Sequence, residues 1–147
     1  MSMGTFCHFA DTIDKEHLAK IAGKKAVNAF VKAFDNYKFA ECDTQDWTEL
    51  AQTVCGYEDY SHDFDTDRKE YKALEKKWKV IADAVKKETG LDLICDYHAS
   101  EDSYDEVDGL FFGFYTADLY QPTPKFKALR NKFGVGVVDR CFWTTFG

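Results

Sequence analysis

The chain has little proline: two residues in 147, Pro122 and Pro124. No Gly/Ser-rich linker, internal repeat or low-complexity segment divides it. At this length the lack of a boundary points to one domain spanning residues 1–147. No run approaches the ~20 apolar residues of a membrane-spanning helix. Met1 to Ala10 lack a basic start followed by an apolar stretch, so no signal peptide is expected and the expected location is cytoplasmic. The five cysteines, Cys7, Cys42, Cys55, Cys95 and Cys141, include no C-x-x-C pair. Their spacings match no common zinc pattern, and in a reducing compartment they read as small buried hydrophobes. The glycines form no phosphate cradle, because Gly134-x-Gly136 precedes a strand-like run and not a helix.

The most telling absence is of positive charge in two windows. Glu41 to Thr66 carry eight acids and no Lys or Arg, and Asp92 to Asp118 carry eight more, again with none. The rest of the chain, with 10 acids and all 19 bases, is net positive by nine. The formal charge of −7 is therefore two strongly acidic segments on a mildly basic frame. A one-sign patch steers a partner of the opposite sign and costs self-repulsion. Overall acidity argues against general nucleic-acid binding, which needs a basic footprint.

What is abundant is aromatic area: thirteen Phe, eight Tyr and three Trp. That load suits a packed core and excludes disorder for the chain as a whole. Residues 4–10 read as an opening strand. Asp14 caps a helix expected over Lys15 to Tyr37, with Leu18, Ile21, Val27, Phe30, Val31 and Phe34 on its apolar face. Asp43 or Thr44 is expected to cap a second helix carrying Trp47, Leu50, Ala51 and Val54 at helical spacing, with Gly56 as its stop. Asp67 and Glu70 resemble a capping box opening a third helix. Its apolar stripe is Tyr71, Leu74, Trp78, Ile81 and Val85, and Gly90 ends it.

The period then changes to two. Leu91, Leu93, Cys95 and Tyr97 face one way, and Asp92, Ile94, Asp96 and His98 the other. Gly109 to Ala117 pairs with this strand as a hairpin across a long acidic connection, Ala99 to Asp108. Thr123 and Pro124 open a short helix to Phe133, burying Phe126, Leu129 and Phe133, and Val135 to Phe146 forms the last strand. The order β-α-α-α-β-β-α-β implies an α+β fold: a three- or four-stranded, largely antiparallel sheet packed with about four helices.

Chemistry-bearing motifs are weak. Asp63-Phe64-Asp65-Thr66-Asp67 alternates acids like a calcium loop, but Arg68 stands where the turn needs glycine and Leu74 where a bidentate Glu is needed. Cys7 and His8 are strand neighbours on opposite faces and cannot act as a nucleophile–base pair. His98 sits beside acids that favour its charged form, which a surface histidine also does. No cofactor, catalytic group or metal site is expected.

The acidic windows also carry tyrosine, and acid plus tyrosine is an interface composition. The reading is a non-enzymatic acidic binding or inhibitor protein facing a basic protein, or the basic nucleic-acid-binding site of one. Carboxylates would there stand in for phosphates. Phage-encoded antagonists and nuclease immunity proteins share this character, by composition and by no motif. The expected partner contacts are Asp102, Tyr104, Asp105, Glu106 and Asp108, then Tyr57, Glu58, Asp59, Tyr60, Asp63 and Asp65. The alternative is a small-ligand or nucleotide binding protein or enzyme with an aromatic-lined pocket built from His98, Phe112, Phe114 and Trp143.

Overall fold

A computed structural model describes residues 5–41, 46–98, 109–115, 124–133 and 138–146. The elements are β1 (Thr5–Ile13), α1 (Lys15–Ala22), α2 (Lys24–Glu41), α3 (Trp47–Cys55), a 3-10 turn (Ser61–Asp63), α4 (Lys69–Thr89), β2 (Leu93–His98), β3 (Gly109–Tyr115), α5 (Pro124–Phe133) and β4 (Val138–Phe146). The fold is α+β, and the sheet has the order β2-β3-β1-β4 with every pairing antiparallel. No helix among the described residues is long and apolar enough to cross a membrane.

The register explains the core. Phe112 on β3 pairs with Ile13 of β1 on one side and with Cys95 of β2 on the other. Cross-strand partners share a face, so these three buried side chains form one row of the core face. Leu110 and Phe114 follow on β3 at the period of two, with Leu93 on β2. Against this face lie α2 and α4. Trp78 of α4 stacks on Phe112 at 6.2 Å, nearly coplanar, and Phe30 of α2 meets Phe112 edge-on at 6.1 Å and Trp78 at 5.2 Å. The expected stripe of α4, Tyr71, Leu74, Trp78, Ile81 and Val85, is buried throughout. The hairpin of β2 and β3 runs from Leu93↔Phe114 to His98↔Gly109, and the ladder passes through Gly113 without a bulge.

Two expectations are corrected. The single helix over Lys15 to Tyr37 is two helices, because Gly23 has φ +96 and ψ 132, outside helical space. The first half starts as anticipated, with the Asp14 carboxylate accepting from the His17 N–H at 2.8 Å. Asp67 does not cap α4. Arg68 is the N-cap, in extended conformation and without a side-chain cap bond, and Glu70 instead pairs with the Arg68 guanidinium at 3.3 Å. Asp96, on the face of β2 opposite Leu93 and Cys95, is 7% exposed. The stops at Gly56 (φ +81) and Gly90 (φ +75) are left-handed, as a helix C-terminus favours. Asp43, Thr44, Thr123, Val135 and the 99–108 connection lie outside the described residues.

Two stability outcomes follow from this packing. Phe30→Ala removes a fully buried ring from the junction of α2, α4 and β3 and should cost about 3–5 kcal/mol in urea unfolding, with the slope unchanged. Gly23→Ala meets no atom within 4 Å but forces a side chain into a backbone conformation close to glycine-only. It should cost about 1–3 kcal/mol, and a variant as stable as the parent would mean the α1–α2 junction relaxes into an ordinary helix.

Candidate functional site

The site begins with α3. Its apolar face, Leu50, Ala51 and Val54, is buried. A second stripe, Thr48, Gln52 and Cys55, recurs at i, i+4 and i+7 and lies along β2. Thr48 Oγ1 donates to the Tyr97 carbonyl at 2.7 Å, and Cys55 Sγ to the Cys95 carbonyl at 3.3 Å. Gln52 Nε2 lies 3.3 Å from both oxygens of Asp96, and Cys95 Sγ donates back to the Ala51 carbonyl at 3.3 Å. Since β2 is an edge strand, these side chains occupy carbonyls that would otherwise template pairing with another chain.

The turn after α3 is tied down by backbone bonds. Gln52 O accepts from the N–H of Tyr57 at 3.0 Å and of Glu58 at 3.2 Å. The Tyr60 N–H donates to Thr53 Oγ1 at 3.0 Å, and the Asp59 carboxylate accepts from the Ser61 N–H at 2.9 Å, opening the 3-10 turn. Phe64 then stacks on Tyr71 of α4 at 6.4 Å. The result holds Glu58, Asp59, Asp63 and Asp65 exposed on a braced loop, with Tyr57 and Tyr60 half-buried beneath.

This loop folds back on the start of α3. Partial burial, then a hydrogen bond with Asp63 and the charges of Asp63 and Asp46, push the Glu49 pKa above the usual carboxylate range. Among the described residues no Lys or Arg pairs with Asp46, Glu49, Glu58, Asp59, Asp63 or Asp65; the ion-pair contact here is His62 Nε2 to Asp63 at 3.4 Å. No three His, Cys, Asp or Glu side chains among the described residues are grouped as metal ligands. The Asp46–Glu49–Asp63 cluster flanks Thr48, which bonds Tyr97, and the second acidic segment departs one residue beyond His98. The first acidic window thus lies beside the end of β2. Asp102, Tyr104, Asp105, Glu106 and Asp108 themselves lie outside the described residues.

Beneath this end sits a buried cation that sequence reasoning did not single out. Lys38, 6% exposed, points its ammonium at the rings of Trp47 and Tyr97, 4.6 Å from each centroid, and pairs with Asp35 at 3.1 Å. Trp47 Nε1 closes the arrangement by donating to the Lys38 carbonyl at 3.2 Å. A desolvated cation–π contact contributes about 2 kcal/mol, so this group locks α2, α3 and β2 together below the acidic surface.

A groove of about 620 Å³ opens beside the loop, between the end of α3, the second half of α4 and the start of β2. Tyr57, Glu58, Trp78, Asp83 and Asp92 line it, with Cys55 at its wall. Its one basic lining residue, Lys86, is paired with Asp92 at 3.2 Å. The aromatics expected to form a pocket do not line it. Phe112 and Phe114 are in the core, under Trp78 and across from Leu93. His98 and Trp143 belong to β2 and β4, the two opposite edges of the sheet, with two strands between them. The four are therefore not brought together.

Asp96 is the one buried carboxylate of the site. Burial pushes its pKa up to about 6, against the opposing pull of hydrogen bonds from the Tyr97 N–H and Gln52. A folded pKa above the unfolded value means the native state binds the extra proton. The contribution of this group to stability should therefore be full below about pH 4, fall as pH rises to about 6, and be lost above that, a difference of about 3 kcal/mol. Asp96→Asn keeps an oxygen acceptor for Gln52 and Tyr97. It should remove this part of the pH dependence and raise stability at pH 7 by about 2–3 kcal/mol; equal pH profiles for parent and variant would refute the assignment.

Comparison of the chain with protein-family models, with curated proteins and with solved structures gives no match.

Proposed function

We propose that this is a non-enzymatic binding protein that presents an acidic, tyrosine-bearing surface to a basic site on a macromolecular partner. The observation that carries the reading is the Asp46–Glu49–Asp63 cluster with Glu58, Asp59 and Asp65 around it: carboxylates whose partial burial and mutual crowding raise Glu49, on a braced loop, with no Lys or Arg paired to them among the described residues. Crowding like charges costs stability, and an opposite-charged partner is what recovers it. Bracing matters as well, because a surface already held in one conformation loses less entropy on binding.

The groove fits the same role. Its aromatic walls, Tyr57 and Trp78, and the Glu58 carboxylate suit the stem and head of an Arg or Lys from the partner, while Asp83 and Asp92 are already paired with Lys79 and Lys86. A basic site that normally holds nucleic acid would meet carboxylates in place of phosphates, making the protein a competitive antagonist. Asp102, Tyr104, Asp105, Glu106 and Asp108 would extend the surface from the adjoining connection.

The test is capture from lysate of the source cell or its host, washed through rising salt, with two charge-reversal variants beside the native chain. Glu58→Lys/Asp59→Lys/Asp63→Lys and Asp102→Lys/Asp105→Lys/Glu106→Lys should each weaken retention of a basic protein about tenfold or more, with unchanged circular dichroism. Retention by the native chain should fall between about 0.1 M and 1 M salt, as the Debye length shrinks from ~10 to ~3 Å. A partner held equally by the native chain and both variants at low salt would sink the assignment of this surface.

A further inference from the structure

The thiol pair at the α3–β2 contact is not used by the acidic surface. Cys55 ends α3 and Cys95 lies in the middle of β2, forty residues apart in sequence, and their side chains are juxtaposed across the contact. Each is also fixed by the other's element: Cys55 Sγ sits 3.3 Å from the Cys95 carbonyl, and Cys95 Sγ 3.3 Å from the Ala51 carbonyl. The two differ in access. Cys95 is buried in the core face, whereas Cys55 is partly exposed and forms part of the wall of the 620 Å³ groove. Neighbouring thiols, one reachable and one shielded, are the arrangement of an attacking and a resolving cysteine.

We infer that Cys55 and Cys95 form a reversible dithiol–disulfide site, in which Cys55 reacts with a hydroperoxide entering by the groove and Cys95 resolves the product. In the first step the Cys55 thiolate attacks the terminal peroxide oxygen. An S–O bond forms, the O–O bond breaks, and the leaving alkoxide or hydroxide takes up a proton. The Cys55 sulfur is oxidised by two electrons to a sulfenic acid, and the peroxide is reduced to alcohol or water. In the second step the Cys95 sulfur attacks the Cys55 sulfur. The S–S bond forms, the S–O bond breaks, and the hydroxide leaves as water with the Cys95 proton. A small-molecule thiol returns the bridge to two thiols by exchange.

The surroundings set the order of events. The hydrogen bond from Cys95 lowers the Cys55 pKa, so Cys55 carries the larger thiolate fraction. Burial holds Cys95 well above the ordinary thiol range, which makes resolution the slow step. The bridge would replace a hydrogen-bonded contact by a covalent one at the last turn of α3, directly before Gly56 and the braced loop. The inference does not depend on the partner-binding reading.

The test uses the full chain treated with hydrogen peroxide, quenched by blocking free thiols, and mapped by mass spectrometry without reduction. Cleavage after Glu49 separates Cys42 from Cys55. The expected product is a peptide pair joined through Cys55 and Cys95, absent before treatment and lost on adding dithiothreitol. In Cys95→Ser, or Cys95→Ala if the serine destabilises the fold, a dimedone-type probe should label Cys55 roughly tenfold more than in the parent, because the sulfenic acid is no longer resolved. Two outcomes overturn the inference: Cys55 and Cys95 both still reduced when other cysteines are oxidised, or bridges that join Cys55 or Cys95 only to Cys7, Cys42 or Cys141.

Discussion

Everything at the candidate site depends on how α3 is held against the free edge of β2. A helix normally packs on a sheet through an apolar stripe, and Leu50, Ala51 and Val54 do provide one. What fixes its position along the strand is the second stripe. Thr48, Gln52 and Cys55 each find one polar group of β2, meeting Tyr97, Asp96 and Cys95 in turn. These bonds are individually modest, about 1 kcal/mol each, but they are directional, and hydrophobic contact is not. They set which residues leave α3 at the groove and which return beside its start.

The same contact concentrates opposing demands in a small volume. Lys38 is buried with its charge satisfied by two aromatic faces and Asp35. Asp96 is buried with no cation among the described residues and lifts its pKa instead. The surface above carries carboxylates that repel one another. Buried ionisable groups and unrelieved surface charge both cost stability, and proteins commonly hold such costs at functional sites. The core behind them, with Trp78, Phe30 and Phe112 in mutual contact, supplies the rigidity that tolerates them.

The architecture was largely legible in the sequence because its signals are periodic. The 3-4-3-4 spacing from Tyr71 to Val85, the period of two from Leu91 to Tyr97, and glycine at positions 56 and 90 each name an element or its end. Legibility failed where one residue had to choose between roles. Gly23 inside an apolar helical pattern reads as a tolerated glycine, yet its dihedrals break the helix. Asp96 alternates with apolar neighbours, and its burial rests on hydrogen bonds from the Tyr97 N–H and from Gln52 one helix away, the second of which only tertiary structure supplies. The polar stripe of α3 was hidden for a related reason, since Thr, Gln and Cys at helical spacing look like a solvated face until a strand edge is placed beside them. Lys38 could have been suspected only by asking what Trp47 and Tyr97 enclose. The acidic loop at Glu58 to Asp65 was found from charge alone, but its bracing and its meeting with Glu49 belong to tertiary structure.

The placement of the indoles makes the two halves of this molecule optically distinct. Trp78 packs against Phe30 and Phe112 and only its margin reaches the groove, so its emission answers mainly to the integrity of the apolar interior. Trp47 is half-buried, with the Lys38 ammonium over its ring and its Nε1 on the Lys38 carbonyl. Its emission answers to the electric field at the acidic end. With Trp143 replaced by Phe, light from these two rings would therefore separate global loosening of the chain from an event confined to the charged surface, without any label added.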